Sequence, residues 1–580
     1  MKLKELRISQ SLTQTECANY LGVSLRTYQN YENDSTKEHT YKYIDMCNKL
    51  KSRTDMVAET IFKYDDIYHT NVVVGDGLNN FYNGVAKYRK RDCYELLKKF
   101  IVGDYTGKIC ILYGLRRTGK TTLIFQMLKE LPLQQVAYIK IQTTDTMANL
   151  TKDLYNLHKL GYKYIFIDEI TLLADFINTA SVLSDIFSMF GMKIVLSGTD
   201  SLGFVMANRD ELYDRCIMIH TSFISYREYE KLLNIHSIDS YIEYGGTLKM
   251  ENMTFDDPDI QLNDISFRND ETTRKYIDTS ISRNIQHTLK NDHFGEYFNQ
   301  LKELYNKGEL TNAINRIVEN INHDFLVKVI EDEFKSHDLG SARNLLLHDV
   351  PSSIAYALEE IDKTSVIKRL KSLLDIKEKN ETKVKITQEC VNKIKKYLLM
   401  LDLIVNCPDR YESGKKVDHY IFSQPGMRYS ITKALVYSLL QDEYFKSLSE
   451  SDKEYITNKV LTDVKGRMLE EIVLLEVNKV IHKNKEAFKF KFDAGGEYDM
   501  IIYDKSTNTC KLYEIKHSDK IDDRQIRFLV DKDKCELIEN KYGTIVGKYV
   551  LYRGQNKKIE SIDYINVEVF LTNLKYIYIR

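Results

Sequence analysis

The sequence predicts a multidomain α/β protein with an all-α segment at its N-terminus, and three observations lead to this prediction. The chain has 580 residues, enough for several domains of ordinary size. From Cys93 onward, apolar strand-like runs alternate with helical spacing, which is typical of a parallel sheet with crossover helices. Residues 1–55 show helical spacing alone, and a second alternation of helix and strand begins after residue 436.

The composition is typical of a soluble globular protein, with 43% hydrophobic and 29% charged residues. The net charge of -1 gives no global basic bias, so any DNA contact must come from a local patch. The nine cysteines include no Cys-x-x-Cys pair, which argues against a zinc site or a disulfide framework. We find no signal peptide and no apolar run of membrane-spanning length, and therefore expect a cytoplasmic protein without membrane contact.

The first 55 residues are predicted to form a compact set of helices. Thr13 and Glu16 have the spacing of a capping box at the start of a second helix. Gly22 supplies a turn, and Ser24 is placed to cap a third helix. The sequence therefore predicts two helices joined by a tight turn.

This segment resembles the lambda-repressor-type helix-turn-helix in Leu12-Thr13-Gln14, Leu21-Gly22-Val23-Ser24 and Tyr31-Glu32-Asn33. In that family the second helix of the motif enters the major groove, and the motif usually docks as a dimer. The resemblance therefore implies DNA as a partner and a homo-oligomer. The DNA contacts that we predict are Gln14, Arg26, Thr27 and Asn30. The alternative is a helical packing module with a polar surface.

A glycine-containing loop follows the first strand of the alternating region. After the apolar run Ile109–Tyr113 come Gly114, four residues and then Gly119-Lys120-Thr121, which is the Walker A spacing. The glycines let backbone N–H groups surround phosphate oxygens, and the next helix adds its positive end. The pattern predicts an ATP site, with Lys120 at the β- and γ-phosphates and Thr121 on Mg²⁺. The full set of predicted loop contacts is Gly114, Thr118, Gly119, Lys120, Thr121 and Thr122. The alternative is an ordinary loop.

A second apolar strand ends in the acids Asp168 and Glu169, which is the Walker B pattern. We expect Asp168 to bind Mg²⁺ and Glu169 to polarise the attacking water, since a hydrolysing P-loop enzyme needs a base near the γ-phosphate. A third strand ends at Ser197 and Thr199, either of which could sense the γ-phosphate, although a capped turn explains them equally well.

Two further features of this region carry weaker predictions. Arg209 and Arg215 are candidate arginine fingers at the nucleotide, with ordinary surface positions as the alternative. Residues 56–92 are predicted to be a connector, and its basic run Lys87–Arg91 is interpreted as a solvated helix end without a site.

The region also resembles the archaeal-type ATPases, a STAND/AAA+-related group. The resemblance rests on five stretches: 114–122, Ile167-Asp168-Glu169, Leu196-Ser197-Gly198-Thr199, 223–228 and Tyr244-Gly245-Gly246. It implies a P-loop ATPase core at 93–224, a helical lid and helical region at 225–380, a winged helix at 381–435 and a restriction-endonuclease-like domain at 436–580. The chain departs from the family at Thr247-Leu248, where the family has a proline. The winged helix could contact DNA or serve for packing, and both alternatives stay open.

The C-terminal region carries a second chemical pattern. A helix holds Glu470, one strand holds Asp499, and the next strand holds Glu514-x-Lys516. Asp499 and Glu514 can hold Mg²⁺, the ion can activate a water, and Lys516 can stabilise charge that develops on a phosphate.

This order resembles the PD-(D/E)XK nuclease superfamily, with Tyr498 in place of the proline of the motif and Gln525 as a trailing polar residue. The alternative is a solvated salt bridge on a hairpin. The sequence as a whole predicts a DNA-binding ATPase that controls a Mg²⁺-dependent nuclease-like domain, and by analogy a role in defence or mobile elements. The competing prediction is a nucleotide-switched transcriptional regulator with a silent C-terminal domain.

Overall fold

The protein is described from a computed structural model. The structure describes residues 3–9, 14–21, 23–33, 40, 43, 46–47, 50, 68–199, 203–204, 207–208, 211–221, 223–248, 267, 270–282, 295–335, 387–441, 443–446 and 450–574.

The N-terminal helices span Leu3–Ser9, Gln14–Tyr20 and Leu25–Asn33. They bury a small core that includes Leu3, Cys17 and Tyr28. The hydroxyl of Ser24 accepts a hydrogen bond of 3.1 Å from the backbone N–H of Thr27, as expected for the predicted cap. The predicted capping box of Thr13 and Glu16 rests on side chains outside the described residues.

A six-stranded sheet forms the centre of the next region. Its strands are β1 Asn71–Val74, β2 Ile109–Tyr113, β3 Val136–Lys140, β4 Tyr164–Asp168, β5 Lys193–Gly198 and β6 Cys216–His220. The strand order is β1-β3-β4-β5-β2-β6, and every pair except β1–β3 is parallel. Successive side chains of β2 enter different cores on the two faces of the sheet, as expected for a strand covered on both sides.

The pairing of β1 corrects the prediction that residues 56–92 only connect two domains. β1 runs antiparallel to β3, with Val72 opposite Ile139, and therefore belongs to the ATPase sheet. Thr70 fixes this segment, because its backbone N–H donates a hydrogen bond of 2.7 Å to the buried carboxylate of Asp153. Strand pairing between residues so far apart in sequence leaves no local signal that could have revealed it.

Helices cover the sheet and continue beyond it. The α-helices from residue 77 to residue 335 are Gly77–Val85, Tyr94–Val102, Lys120–Leu128, Met147–Lys159, Phe176–Thr179, Tyr226–Leu233, Ile238–Tyr244, Asp270–Ile277, Gly295–Asn306 and Leu310–Lys335. Shorter 3-10 turns lie at Leu133–Gln135 and Ile170–Leu172, and π-helical turns at Leu183–Ser188 and Asp278–Ser282. No helix in the described ranges combines the length and the apolar composition needed to cross a bilayer.

An eight-stranded sheet forms the C-terminal region. It contains β8 Asp409–Tyr411, β9 Lys416–Val417, β11 Lys485–Lys491, β12 Glu497–Asp504, β13 Thr509–Ile515, β14 Thr544–Tyr552, β15 Lys557–Ile559 and β16 Ile562–Asn566, in the order β15-β16-β14-β13-β12-β11-β8-β9. β11, β12 and β13 are antiparallel neighbours, and β14 runs parallel to β13. The helices of the C-terminal half are Gln388–Met400, Pro425–Leu439, Glu443–Lys446, Glu450–Val480, Arg527–Val530, Lys532–Tyr542 and Val567–Thr572.

The predicted winged helix and the C-terminal domain share a sheet. The helix Gln388–Met400 is followed by a hairpin of β7 Ile404–Asn406 and β10 Tyr420–Phe422. The strands β8 and β9 between them instead extend the C-terminal sheet, because β8 pairs in parallel with β11. The predicted winged-helix segment and the C-terminal region are therefore joined across the predicted boundary between residues 435 and 436, and the pairing of β8 with β11 favours the packing alternative.

Candidate nucleotide, metal and DNA sites

The phosphate loop lies between β2 and the helix Lys120–Leu128. Gly114 and Gly119 have φ angles of 143° and 84°, which favour glycine, and Arg117 has a φ of 63°. The buried Lys120 ammonium donates hydrogen bonds of 2.8 Å to the carbonyls of Gly114 and Leu115. Its charge therefore lies inside the curve of the loop, where phosphate oxygens are expected.

Burial lowers the pKa of Lys120 to about 8, against the opposing effect of Glu169 and Asp168. A lysine with this pKa is poorly stabilised in the free protein, and a polyphosphate would supply the missing negative charge. Thr118 is also buried, and its hydroxyl donates a hydrogen bond of 2.8 Å to the carbonyl of Leu115. Thr122 lies half-buried in the first turn of the helix.

Asp168 collects four donors at the carboxyl edge of the sheet. The donors are the hydroxyls of Thr121 at 3.1 Å and Tyr138 at 3.0 Å, the Lys140 ammonium at 3.1 Å and the Ser197 hydroxyl. Burial opposes the charge on Asp168, but Lys140 and the hydroxyl donors outweigh it and lower its pKa. A charged carboxylate in contact with the Thr121 hydroxyl is a donor set that fits Mg²⁺.

Glu169 and Thr199 lie beside each other at the same edge. The Thr199 hydroxyl donates a hydrogen bond of 3.3 Å to the Glu169 carboxylate. Glu169 has a φ of 59°, so the backbone turns sharply after β4. The parallel strands β2, β4 and β5 bring their carboxyl ends together, so Lys120, Asp168 and Thr199 meet although they are distant in sequence.

Arg91 is a supporting residue that the sequence prediction missed. It was assigned to a solvated helix end, yet it is only 4% exposed. Its guanidinium donates hydrogen bonds to the carbonyl of Thr118 at 2.7 Å and to the carboxylate of Glu228 at 2.8 Å. Arg91 thus connects the phosphate loop to the helix Tyr226–Leu233. The basic run in which it lies gave no indication of this role in the sequence.

The double-glycine segment also contacts the phosphate loop. The backbone N–H of Leu248 donates a hydrogen bond of 2.8 Å to the carbonyl of Arg117. Gly246 has a φ of 108°, and a Cβ there would lie 2.6 Å from the backbone of Gln424. Thr247-Leu248, which replaces the proline of the archaeal-type ATPases, therefore still forms a compact turn. This turn lies between the phosphate loop and the segment that follows β10.

Arg215 does not lie at the nucleotide site of its own chain. It precedes β6, and its carbonyl accepts a hydrogen bond of 3.0 Å from the N–H of Ile109 at the start of β2. The phosphate loop follows the other end of β2, so the two lie at opposite edges of the sheet. The Arg215 guanidinium instead lies 3.1 Å from the carboxylate of Asp185. Sequence order did not show which edge of the sheet the arginine would occupy, and its candidate role as an arginine finger stays a prediction. Arg209 lies outside the described residues.

The predicted DNA contacts differ in exposure. Arg26 and Asn30 are exposed on the helix Leu25–Asn33, whereas Thr27 is half-buried. The Gln14 side chain is held within the module, because it donates a hydrogen bond to Glu32 and accepts one of 3.1 Å from Gln29. Arg26 and Asn30 are therefore the two predicted contacts that are most accessible to a partner.

In the C-terminal sheet, Asp499, Glu514 and Lys516 lie together. The Lys516 ammonium lies 2.8 Å from the carboxylate of Asp499 and 3.0 Å from that of Glu514. The N–H of Ile515 also donates a hydrogen bond of 2.7 Å to Asp499. The pairing of Met500 with Tyr513 brings Asp499 and Glu514 to facing positions on β12 and β13.

The two acids of this cluster have different electrostatic environments. Burial and the neighbouring Asp499 raise the pKa of Glu514 well above its ordinary value. Burial opposes the charge on Asp499 too, but Lys516 and Lys489 outweigh it and lower its pKa. The Oε1 atom of Glu514 is buried and has no hydrogen-bond partner among the residues that the structure describes. An uncompensated oxygen beside a charged carboxylate fits a cation ligand.

Glu470 lies on the helix Glu450–Val480 and joins this cluster through basic side chains. The Arg467 guanidinium lies 2.8 Å from Glu470 and 2.7 Å from Glu497, and the Lys489 ammonium contacts both acids as well. Ligand atoms of Glu470, Glu497 and Asp499 lie within 4.8 Å of one another. Glu497 and Lys489 were not singled out from the sequence, since charged residues on and beside strands are common.

Comparisons with known proteins match two parts of the chain. Residues 106–230 match the family model described as an AAA domain, and residues 3–37 match the model described as a helix-turn-helix. No curated protein matches the chain. One similar solved structure is that of the Aeropyrum pernix Orc1 protein in complex with DNA, with 14% identity, a TM-score of 0.21 and coverage of 66% of this chain and 97% of that chain. A TM-score this low does not define a common fold.

The chain therefore combines a helix-turn-helix module with an AAA-type P-loop domain. This confirms the two corresponding modules predicted from the sequence. The assignment of individual site residues and the nuclease-like domain remain predictions.

Proposed function

We propose that this protein is a DNA-binding ATPase whose phosphate loop binds MgATP, and whose ATPase core controls a Mg²⁺-dependent nuclease-like domain at its C-terminus. The observation that carries the ATPase part is the convergence of Lys120, Thr121 and Asp168. The buried ammonium, the hydroxyl and the carboxylate lie at one edge of the parallel sheet, where an α/β protein binds its ligands.

The chain's own residues would act on ATP as follows. Lys120 would exchange the carbonyls of Gly114 and Leu115 for phosphate oxygens, and backbone N–H groups of the loop would hold the remaining oxygens. Mg²⁺, when bound between Thr121 and Asp168, would neutralise phosphate charge. Glu169 would accept a hydrogen bond from the attacking water, with Thr199 holding the carboxylate in place.

The nuclease-like part of the proposal is supported by the strand arrangement and the acid cluster. A helix bearing Glu470 precedes three antiparallel strands, and the second and third of these carry Asp499 and Glu514. Lys516 contacts both acids and could stabilise charge on a phosphodiester. The residues of the predicted order, a helix acid followed by Asp and by Glu-x-Lys, therefore lie near one another, which supports a nuclease-like site.

Contacts between the two halves support control of one by the other. The backbone N–H of Tyr226, which begins the helix after the AAA sheet, donates a hydrogen bond of 2.6 Å to Glu476. Glu476 lies on the same helix as Glu470, nearly two turns away. A change in the ATPase core that moves Tyr226 would therefore act on the helix that bears the proposed nuclease acid.

The experiment that tests this function uses supercoiled plasmid, Mg²⁺ and the purified full chain, with and without ATP. Wild-type protein should nick the plasmid, and Asp499→Ala and Lys516→Ala should abolish nicking while ATP hydrolysis continues. Lys120→Ala should remove the ATP dependence. Nicking that persists in both C-terminal variants would contradict the nuclease assignment. Light scattering of the same samples measures the homo-oligomer that we expect from the helix-turn-helix.

The second candidate is a nucleotide-switched transcriptional regulator with a silent C-terminal domain. One observation favours it: each proposed nuclease acid is paired with a basic side chain, namely Arg467, Lys489 or Lys516. This candidate predicts no nicking under any metal condition, together with sequence-specific DNA binding that depends on nucleotide. Loss of that binding in Arg26→Ala would support it.

A further inference from the structure

The side chain of Lys489 lies among three carboxylates of the C-terminal site. Its ammonium is 2.6 Å from Oε2 of Glu470, 3.0 Å from Oε1 of Glu497 and 4.0 Å from Oδ1 of Asp499. The same three acids have ligand atoms close enough together to hold one metal ion. The Lys489 ammonium therefore occupies the position between the three carboxylates.

This ammonium is held more firmly than a surface lysine. Lys489 is only 8% exposed, and Asp499 is 3% exposed. In such a poorly solvated place, attraction between opposite charges is much stronger than at the surface, and an acid that loses its partner is destabilised. A divalent ion could satisfy the same carboxylates, but the ammonium and the ion could not both occupy the point between them.

A second, independent feature indicates that the site is built for a cation. The Oε1 atom of Glu514 is buried without a hydrogen-bond partner in the described part of the chain. The other oxygen of Glu514 lies 3.0 Å from Lys516, which in turn contacts Asp499 at 2.8 Å. Glu514, which carries the unsatisfied oxygen, is therefore linked by Lys516 to Asp499, one of the three acids around Lys489.

We propose that Lys489 is a tethered cation that competes with a divalent metal ion for Glu470, Glu497 and Asp499, so that metal enters only when the lysine is displaced. This inference rests on the proposed function in taking the C-terminal site as metal-dependent. It makes Lys489 a positioning and gating residue, since its ammonium holds the acids together before metal enters.

A cavity next to the cluster could hold the Lys489 ammonium after displacement. This cavity has a volume of about 90 Å³, and its lining combines acids such as Asp324 and Asp418 with basic side chains such as Lys328 and Lys395. A lysine side chain is long and flexible, so its ammonium can reach a neighbouring acid without movement of the backbone. Displacement into this polar cavity, towards Asp324 or Asp418, would free Glu470, Glu497 and Asp499 without exposing the ammonium to an apolar environment.

The test measures Mn²⁺ binding to the full chain without nucleotide, by electron paramagnetic resonance of the free ion. All proteins carry Asp168→Asn, so that ion binding beside Thr121 does not contribute. Lys489→Met should bind Mn²⁺ roughly tenfold more tightly, or better, because the ammonium that lies among all three acids is gone, although Arg467 still contacts Glu470 and Glu497. Lys485→Met is the matched control, since Lys485 lies on the same strand and pairs with Asp504 at 3.1 Å. It should bind as the parent does.

Equal or weaker Mn²⁺ binding by Lys489→Met would overturn the proposal and make Lys489 a purely structural residue. If Lys489→Met is poorly folded, Lys489→Gln keeps a hydrogen-bond donor without the charge. Thermal unfolding with Ca²⁺ should then show a larger rise in Tm for Lys489→Gln than for the parent. Variants that stay unfolded in Ca²⁺, or show no extra rise, would also overturn it. Plasmid nicking is measured separately, so failure of the nuclease assignment is distinguishable from failure of this inference.

Discussion

Nε2 of His517 lies 2.9 Å from Oδ1 of Asp239, and this pair joins the ATPase half of the chain to the C-terminal sheet. His517 directly follows Lys516, whereas Asp239 lies on the helix Ile238–Tyr244. Arg553 also contacts Asp239, at 2.9 Å. The His517 contact lowers the pKa of Asp239 to about 2, so the carboxyl stays charged at neutral pH and takes up a proton in the folded protein only as pH falls towards about 2.

We predict that Asp239→Asn uncouples the two activities. The variant should bind ATP normally, because Asp239 does not contact the phosphate loop, but its plasmid nicking should no longer respond to ATP. Asp214→Asn is the control, since Asp214 forms an exposed ion pair with Lys108 within the ATPase core. ATP-stimulated nicking of undiminished size in Asp239→Asn would show that the contact does not transmit the signal.

Arg91→Met should destabilise the ATPase core and weaken ATP binding. The substitution leaves the buried Glu228 carboxylate without its basic partner, which costs about 3–5 kcal/mol for such pairs, and it releases the carbonyl of Thr118 in the phosphate loop. Urea unfolding and ATP titration measure the two effects. Arg89→Met is the matched control, because Arg89 is exposed and bonds only the carbonyl of Lys231 among the contacts described. Equal unfolding midpoints for the two variants would contradict the structural role of Arg91.

Glu169→Gln should keep ATP binding and lose hydrolysis. Glutamine retains the shape of the side chain and a polar oxygen, but it does not accept a proton from water at neutral pH. We expect a fall in kcat of roughly 10²- to 10⁴-fold with little change in the ATP dissociation constant. Phosphate release and equilibrium binding measure these quantities. Hydrolysis at the wild-type rate would remove Glu169 from the mechanism.

Arg26→Ala should weaken sequence-specific DNA binding by about 1–3 kcal/mol if the arginine reads a base edge. If it contacts phosphate instead, binding should weaken on every sequence and the salt dependence should become shallower. Fluorescence anisotropy at several salt concentrations separates the two. Lys4→Ala is the control, because Lys4 is exposed on the first helix, outside the predicted contacts. Wild-type affinity in Arg26→Ala would exclude both roles.

Motifs with a local physical basis could be predicted from the sequence. The phosphate loop depends on glycines that adopt positive φ angles and on a lysine just after them, and both features are visible in fifteen residues. Asp168 at the end of β4, Asp499 near the start of β12 and Glu514 near the end of β13 could likewise be found, because acids next to an apolar strand are readable patterns.

Features set by distant pairing could not be predicted. Nothing near Asn71–Val74 indicates that it adds to the edge of the ATPase sheet, and nothing near Asp409–Tyr411 indicates pairing with β11. The burial of Arg91 depends on Glu228, far along the chain, so its basic neighbours suggested an exposed position instead. Arg215 was only a candidate arginine finger, because the order of residues in the sequence does not reveal which sheet edge a residue occupies.

The most direct test of the account is equilibrium binding of ATP, with Mg²⁺, to the wild-type chain and to Lys120→Ala. Arg215→Ala serves as the control, since Arg215 lies at the opposite edge of the sheet. We predict saturable ATP binding by the wild type and by Arg215→Ala, and no measurable binding by Lys120→Ala. Equal ATP binding by the wild type and Lys120→Ala, or none by the folded wild type, would contradict the proposal that this loop holds the nucleotide.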